Sequence, residues 1–448
     1  MKSALTFTDF TAHLRGFIAA STRAFQKAGC EPITDVGGIL AQASRRGDIV
    51  ATQRRNELRE SLISGPSASA PLRRDGHGTK PSENDHARER MAYFEQAALE
   101  LFALQFEHNG PYRTLCEARG TRPGTIEHWS QIPSLPTAAF KEFELSCLPI
   151  DERTAVFHSS GTTGQAPSRH FHGAQSLAIY EASLLPWFAH HVLPGSNPQR
   201  GGELSEATTP EFLTLTPPPQ QAPHSSLVHM FEVVSRRLGA SCSRYAGCLE
   251  ADSSWGLDHS LAVEAFRHAA TNQSPVVVLG TAFMLVHLLD GLAARKLELR
   301  LPPGSRVLET GGYKGRSRSL PKAELHGMIE RRLGLPQEEI VCEYGMSELS
   351  SQAYSPSLPR GPVGARRAGA FHFPPWARVQ VISPESGREV AEGETGLIRV
   401  FDLANVYSVM AIQTEDLGIK RGDGFDLIGR SPAAEPRGCS LMATESSQ

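Results

Sequence analysis

The run His158-Ser-Ser-Gly-Thr-Thr-Gly164 has the residue types that wrap an anion. Gly161 and Gly164 permit a tight turn that brings backbone N–H groups against phosphate oxygens. Ser159, Ser160, Thr162 and Thr163 add hydroxyl donors at little side-chain entropy. No Lys-Ser or Lys-Thr follows Gly164, so this is not the glycine-lysine loop of the common nucleotide hydrolases. Clusters of Ser, Thr and Gly are also ordinary loop composition, and two further clusters give this one its weight. Tyr344-Gly345-Met346-Ser347-Glu348 offers an aromatic face, a turn residue, a hydroxyl, and a carboxylate of the kind magnesium takes. Gln413-Thr-Glu-Asp-Leu-Gly418 offers Asp416, whose two oxygens can hold ribose hydroxyls, and Arg430 adds a fork of donors. Asp-Leu-Gly is equally a common turn, and Tyr344 to Glu348 equally a plain strand exit.

These residues need elements to position them. Pro275 to Gly280, Ser305 to Glu309 and Glu339 to Tyr344 read as strands, with helices at Ala282 to Lys296 and Pro321 to Leu333 between them. Such alternation predicts an α/β fold with a largely parallel sheet, its ligand beyond the carboxyl ends of the strands. The glycine loop is expected to be one of the loops gathered there. Beyond residue 376, strands at Ala377 to Ile382, Gly396 to Asp402 and Phe425 to Ile428 predict a small β-rich subdomain. Gln131 to Phe140, with Pro133 and Pro136, is expected to be ordered and non-helical. Residues 193–225 read as a long surface excursion broken by a short strand at Glu211 to Leu215. Phe283 to Asp290 reads as core, with the wall of an acyl pocket as the alternative; His158 and His229 read as satisfied structural histidines.

Four segments are expected. Residues 1–60 carry helix-compatible spacing (Phe10, Leu14, Phe17, Ile18, Phe25), and 61–86 read as a linker or disordered stretch. Residues 87–442 form the main domain, opened by an amphipathic helix over Ala87 to Phe106, and 443–448 are a tail. A formal charge of −3 gives no bulk reason to bind nucleic acid or a membrane surface. No apolar run approaches a bilayer span, and the first residues lack the apolar stretch of a secretory signal. Seven scattered cysteines with no Cys-x-x-Cys pair fit a reducing compartment, so a cytoplasmic protein is expected.

In order and type, Ser160 to Gly164, Tyr344 to Glu348, Thr414-Glu-Asp416 and Gly429-Arg430 resemble the motifs of the adenylate-forming enzymes. More narrowly, the chain resembles the acyl-protein synthetases, the long-chain-fatty-acid–protein ligases of bacterial bioluminescence. That likeness is carried by Phe106 to Tyr112, Thr137 to Lys141, Gly280 to Phe283, Gly311-Gly312-Tyr-Lys314-Gly315, Tyr344 to Gln352 and Arg437-Gly-Cys439-Ser440. It covers about residues 87–442 and leaves the first eighty or so without a counterpart.

The resemblance implies the large N-terminal domain of the adenylate-forming fold, a layered α/β body with a small β-rich subdomain. ATP and Mg2+ would be used, the glycine loop and Gly311-Gly312 facing the nucleotide. Tyr344 would stack on adenine, Gly345 and Met346 would lie in the same ATP-binding loop, and Ser347 would touch a phosphate. Glu348 would bind the metal, and Asp416 with Arg430 would hold the ribose. A carboxylic acid, fatty by the resemblance, would become an acyl-adenylate and pass to Cys439, with a reductase or carrier protein as an implied partner. Two departures stand out. The family's lysine after the glycine loop is replaced by Gln165-Ala-Pro-Ser-Arg169, which offers Arg169. The chain also stops 18 residues after Arg430, so the usual mobile C-terminal domain and its lysine are expected to be missing, with Lys314 the candidate for that charge. Alternatives are a carboxylate–CoA ligase and a non-catalytic acyl- or adenylate-binding subunit.

Overall fold

The computed structural model describes residues 5–27, 83–159, 166–193, 209–252, 254–311, 320–356 and 369–431. By contacts the chain divides into two units, Met1–Glu31 with Phe94–Gln448, and Pro32–Tyr93. Of the second unit the described residues are the opening turns of a helix, Glu83–His108.

In chain order the strands of the first unit are β1 (Leu135–Pro136), β2 (Ala155–His158), β3 (Arg169–His172), β4 (Glu211–Thr214), β5 (Arg244–Tyr245), β6 (Gly247–Leu249), β7 (Trp255–Leu257) and β8 (Val276–Thr281). Then come β9 (Arg306–Thr310), β10 (Ile340–Tyr344), β11 (Ala353–Pro356), β12 (Ala377–Ile382), β13 (Thr395–Asp402), β14 (Ala411–Arg421) and β15 (Gly424–Arg430). A six-stranded sheet runs β11-β10-β9-β8-β4-β5, parallel throughout except for the edge strand β11. Its centre, Val276 to Thr281, is buried at every residue, the pattern of a strand covered on both faces. The expected parallel-rich α/β sheet is therefore present.

The helices around this sheet start where side chains satisfy their first N–H groups. Ser225 accepts from Val228 N, Asp258 from Ser260 N and Leu261 N, and Thr281 from Met284 N. Helix Lys322–Leu333 ends at Gly334, whose left-handed backbone suits glycine. Helix Ala282–Ala294 packs against Lys322–Leu333 and buries Phe283 to Val286, Leu288 and Leu289 in the core, while His287 and Asp290 are exposed. Helix Ala174–Val192 is equally apolar. Among the described residues no helix is long and apolar enough to cross a membrane.

The expected β-rich subdomain is a five-stranded sheet, β1-β14-β13-β12 with β15 also paired to β14. Several expectations need correction. Asp-Leu-Gly at 416–418 is no turn but the middle of the eleven-residue strand β14. Antiparallel pairing to β13 on one side and β15 on the other satisfies its backbone as a turn would not. The short strand expected at Glu211 to Leu215 is present as β4, Glu211–Thr214, but it lies inside the sheet between β8 and β5, and residues 210–217 are buried rather than on the surface. Gln131 to Phe140 holds the two-residue β1 and leads into a short helix, Ala139–Glu142. The glycine loop does not leave a strand of the parallel sheet; it joins β2 to β3, a separate antiparallel hairpin.

Candidate active site

The parallel register of β9 and β10 orders the floor of the site. Cys342 pairs with Glu309 and Glu343 with Thr310, so successive pairs face opposite sides of the sheet. The Thr310 hydroxyl donates to the Glu343 carboxylate. Burial pushes the Glu343 pKa up to about 7, against the pull of that hydrogen bond. Gly311 then turns the chain off β9 through a left-handed backbone (φ +64°), with open space where a Cβ would stand.

Tyr344 closes β10. Its ring lies at steep angles to Phe371, Phe373 and Phe425, with centroids 6.1, 6.3 and 5.2 Å away. Its hydroxyl donates to Asp416 Oδ2 at 2.9 Å. Burial and the Asp416 charge keep that hydroxyl protonated, its pKa well above the ordinary value. Asp416 on β14 is the Cα partner of Arg430 on β15, and Arg430 Nε lies 3.5 Å from Asp416 Oδ1. Arg430 Nη1 also lies 3.7 Å from Glu415 Oε2. Tyr344 on β10 and Arg430 on β15 thus meet on the Asp416 carboxylate of β14, each holding a different oxygen.

The loop after Tyr344 folds onto the β2–β3 hairpin. Gly345 passes Glu343 so closely that a Cβ there would sit 2.4 Å from Glu343 Oε1. Ser347 Oγ donates to the His158 carbonyl at 3.1 Å, and His170 Nδ1 donates to the Ser347 carbonyl at 2.8 Å. Glu348 is buried, and its Oε1 accepts from Ser168 Oγ at 2.8 Å. Ser159 and Ser168 close the hairpin: Ser159 N donates to Ser168 O at 3.2 Å, and Ser168 N to Ser159 Oγ at 3.0 Å. Both stems of the glycine loop therefore touch the 344–348 loop.

From the opposite side, Asn405 Nδ2 donates to the Glu348 carbonyl at 2.8 Å. The buried Asp402 carboxylate accepts from Ser350 N, Ser351 N, Ser351 Oγ and Ala404 N at 2.7–2.9 Å. Burial keeps the histidines nearby neutral: His170 and His229 are lowered to about 4, and His172 falls well below its ordinary value. The Nε2 atoms of His172 and His229 are buried without a hydrogen-bond partner, so His229 is not the satisfied histidine expected.

The structure thus brings together Ser159, Tyr344, Gly345, Met346, Ser347 and Glu348 on one loop junction, and Tyr344 and Arg430 on Asp416. Arg169 is turned to Glu144, 3.6 Å away. Ser160, Gly161, Thr162, Thr163, Gly164, Gly312, Lys314 and Cys439 lie outside the described residues. Sequence reasoning missed Ser168, His170, Glu343 and Asp402. The alternation in Arg169-His-Phe-His172, with both histidines buried, was a strand signal for the first two; single acids in apolar runs gave none for the others.

The same fold occurs in solved structures. Crystal structures of 2-hydroxyisobutyryl-CoA ligase resemble the chain in the postadenylation state with 2-HIB-AMP (TM-score 0.53, 16% identity, 77% of this chain and 70% of that one). An open conformation of that ligase with 2-HIB-AMP and CoA gives a TM-score of 0.52 at 15% identity, over 80% of this chain and 81% of that one. At such identities the likeness concerns the fold, the mixed α/β architecture of adenylate-forming ligases. The long-chain-fatty-acid–luciferin-component ligase of Aliivibrio fischeri is 20% identical over 384 residues, 81% of this chain and 90% of that protein. Residues 216–447, more than half of the 448-residue chain, match the family described as acyl-protein synthetase, LuxE, and the chain belongs to that family.

Proposed function

We propose that this chain activates a carboxylic acid with ATP as an acyl-adenylate and then transfers the acyl group to the thiol of Cys439. The observation that supports this best is the convergence of the polar clusters. Tyr344, Asp416 and Arg430 meet on one carboxylate, while both stems of a glycine loop touch the loop that Tyr344 opens.

In the first step a carboxylate oxygen of the acid attacks the α-phosphorus of ATP. A P–O bond forms, the bond to the bridging oxygen breaks, and pyrophosphate leaves. Such a transfer needs positioning and neutralised charge more than a covalent partner. Asp416, oriented by the Tyr344 hydroxyl and Arg430, holds the ribose hydroxyls. The N–H groups and hydroxyls of residues 159–164 take the phosphates, with Ser347, Gly311 and Gly312 bordering them. Lys314 adds a positive charge, and a Lys314→Ala protein with full adenylation would remove that role.

Glu348 fits a magnesium ligand by donor chemistry: its carboxylate is a hard oxygen donor already oriented by Ser168, and magnesium takes one or two carboxylates beside substrate phosphates. Bound there, the ion would neutralise phosphate charge. In the second step the Cys439 thiolate attacks the acyl carbon, a C–S bond forms, and AMP leaves with the mixed-anhydride oxygen. Arg437, two residues away, favours the thiolate. The acid is a fatty acid in this reading, and the thioester is passed on to a reductase or carrier protein.

The test is ATP–pyrophosphate exchange across a panel of fatty and aromatic acids, followed by mass spectrometry of the protein after reaction. Exchange with at least one acid, and an acyl adduct on the Cys439 peptide, are expected. No exchange with any acid would end the proposal. Exchange with thioester released only onto added CoA, unaffected by Cys439→Ser, would move the acceptor to CoA.

A further inference from the structure

Behind Tyr344 lies a buried side-chain set that the proposed reaction does not use. Cys342 and Glu309 are Cα partners on β10 and β9, so thiol and carboxylate project from one face of the sheet. Helix Lys322–Leu333 brings His326 onto the same place: His326 Nε2 is 2.6 Å from Glu309 Oε2, and Cys342 Sγ is 3.6 Å from that oxygen. All three residues are buried, and their donor atoms lie within 4.8 Å of one another. The surrounding positions of the helix, Leu325 and Ile329, are apolar and fully buried. A carboxylate–imidazole pair in such a layer is a weak source of stability, because desolvation offsets the attraction. A thiol aimed at the same oxygen adds a third ligand type and little packing.

We propose that Glu309, His326 and Cys342 bind a divalent transition-metal ion of the zinc type. Thiolate, neutral imidazole and carboxylate are the donors such ions take, and the two anions balance the charge of the ion. Tetrahedral zinc, with bonds of about 2.0–2.3 Å, needs roughly 3.3–3.7 Å between donors. The Cys342–Glu309 separation of 3.6 Å already meets that, and the 2.6 Å His326–Glu309 contact must open by a fraction of an ångström. A water would complete the shell. Magnesium is excluded by the sulfur and nitrogen donors, which separates this site from Glu348.

Lys322, on the first turn of the same helix, competes with the ion. Its ammonium hydrogen-bonds the Cys342 sulfur and is thus an alternative partner for that side chain. A bound ion would tie β9, β10 and the helix together two residues from Tyr344, stiffening the floor from which that residue projects.

The experiment uses the full chain, freed of metal by chelation and titrated with cobalt(II). One equivalent should give a sulfur-to-cobalt charge-transfer band that zinc displaces and magnesium does not. Cys342→Ser should lose the band and Cys248→Ser keep it. His326→Gln should weaken binding about a hundredfold, and Lys322→Met should tighten it. Wild-type protein that shows no band on titration would overturn the proposal, whatever the variants do. So would a band that survives Cys342→Ser in protein whose circular dichroism matches wild type.

Discussion

Asp416 is held by a different partner on each oxygen, and that division predicts how the site fails. Removing the Tyr344 hydroxyl deletes its hydrogen bond to Oδ2 of a part-buried carboxylate, while the ring stays among Phe371, Phe373 and Phe425. A hydrogen bond to a charged group is worth about 1.5–3 kcal/mol. Tyr344→Phe should therefore raise KM for ATP in the exchange reaction about 10- to 100-fold with kcat little changed, the pattern of lost uniform binding. An unchanged KM would mean that Asp416 does not contact the nucleotide. His170, which burial lowers to about 4, makes folding depend on pH. Between that value and the ordinary 6.5 the unfolded chain binds a proton that the folded chain does not. Stability is therefore lost as pH falls through this window. Linkage puts the loss at about 2 kcal/mol by pH 5 for this one group. Urea midpoints at pH 7.5 and pH 5 should differ less for His170→Gln than for wild type; equal differences would contradict a neutral buried imidazole. The sequence declared the residue types of this site, Tyr344, Asp416 and Arg430, but not their register. Asp416 faces Arg430 because the β14–β15 hairpin, turned at Gly422-Asp423, shifts its register by one between Leu417 and Gly418, and no local pattern encodes that shift.

Among the strands and helices, the same gap explains what was misread. The parallel core was legible because β8 is a run of β-branched residues and its neighbours alternate with helices of clear period. β14 was not, because its Asp-Leu-Gly has turn chemistry that pairing on both sides overrides. The short, Pro-flanked β4 was legible as a strand but not as an interior one, a place it owes to pairing with strands farther along the chain. The β2–β3 hairpin was hidden because each of its strands is only four residues long beside a loop rich in Ser, Thr and Gly, although its stems make the contacts that join the two clusters. Gly345, at the exit of β10, shows how such packing selects a residue. It is glycine not for a positive φ but because Glu343 Oε1 occupies the space of a Cβ. Gly345→Ala should cost about 1–3 kcal/mol as overpacking. Glu343→Ala removes the obstacle, so the double variant should be more stable than the sum of the single losses predicts, by about 1 kcal/mol. A double-mutant cycle by urea unfolding measures this; strict additivity would show that the close approach is not what selects glycine.

Across the full chain, the first helix is part of the body that carries the site. Helix Phe7–Lys27 falls in the same unit as Phe94–Gln448 and packs against Ala174–Val192. Phe10, Leu14 and Ile18 are each at most 1% exposed. Phe7 stacks obliquely on Tyr407 at 5.0 Å, and Thr11 Oγ1 lies 3.4 Å from the Tyr407 hydroxyl. Tyr407 lies two residues beyond Asn405, whose amide holds the Glu348 carbonyl, so the helix supports the loop that bears the expected metal ligand. The family match covers residues 216–447 and passes over this support, since an amphipathic helix far from the motifs carries no signature of its own. A chain beginning at Ala87 would lose three fully buried apolar side chains, each worth about 1.5–3 kcal/mol, and leave their partners exposed. That upper estimate of about 5–9 kcal/mol rivals the net stability of a typical folded protein, about 5–15 kcal/mol. The shortened chain should therefore melt without a cooperative transition and be degraded in limited proteolysis, while the milder Phe10→Ala should fold with a loss of about 3–5 kcal/mol. A chain starting at Ala87 that melts as sharply and as late as the full-length protein would show that the helix is an appendage and that the active unit stands without it.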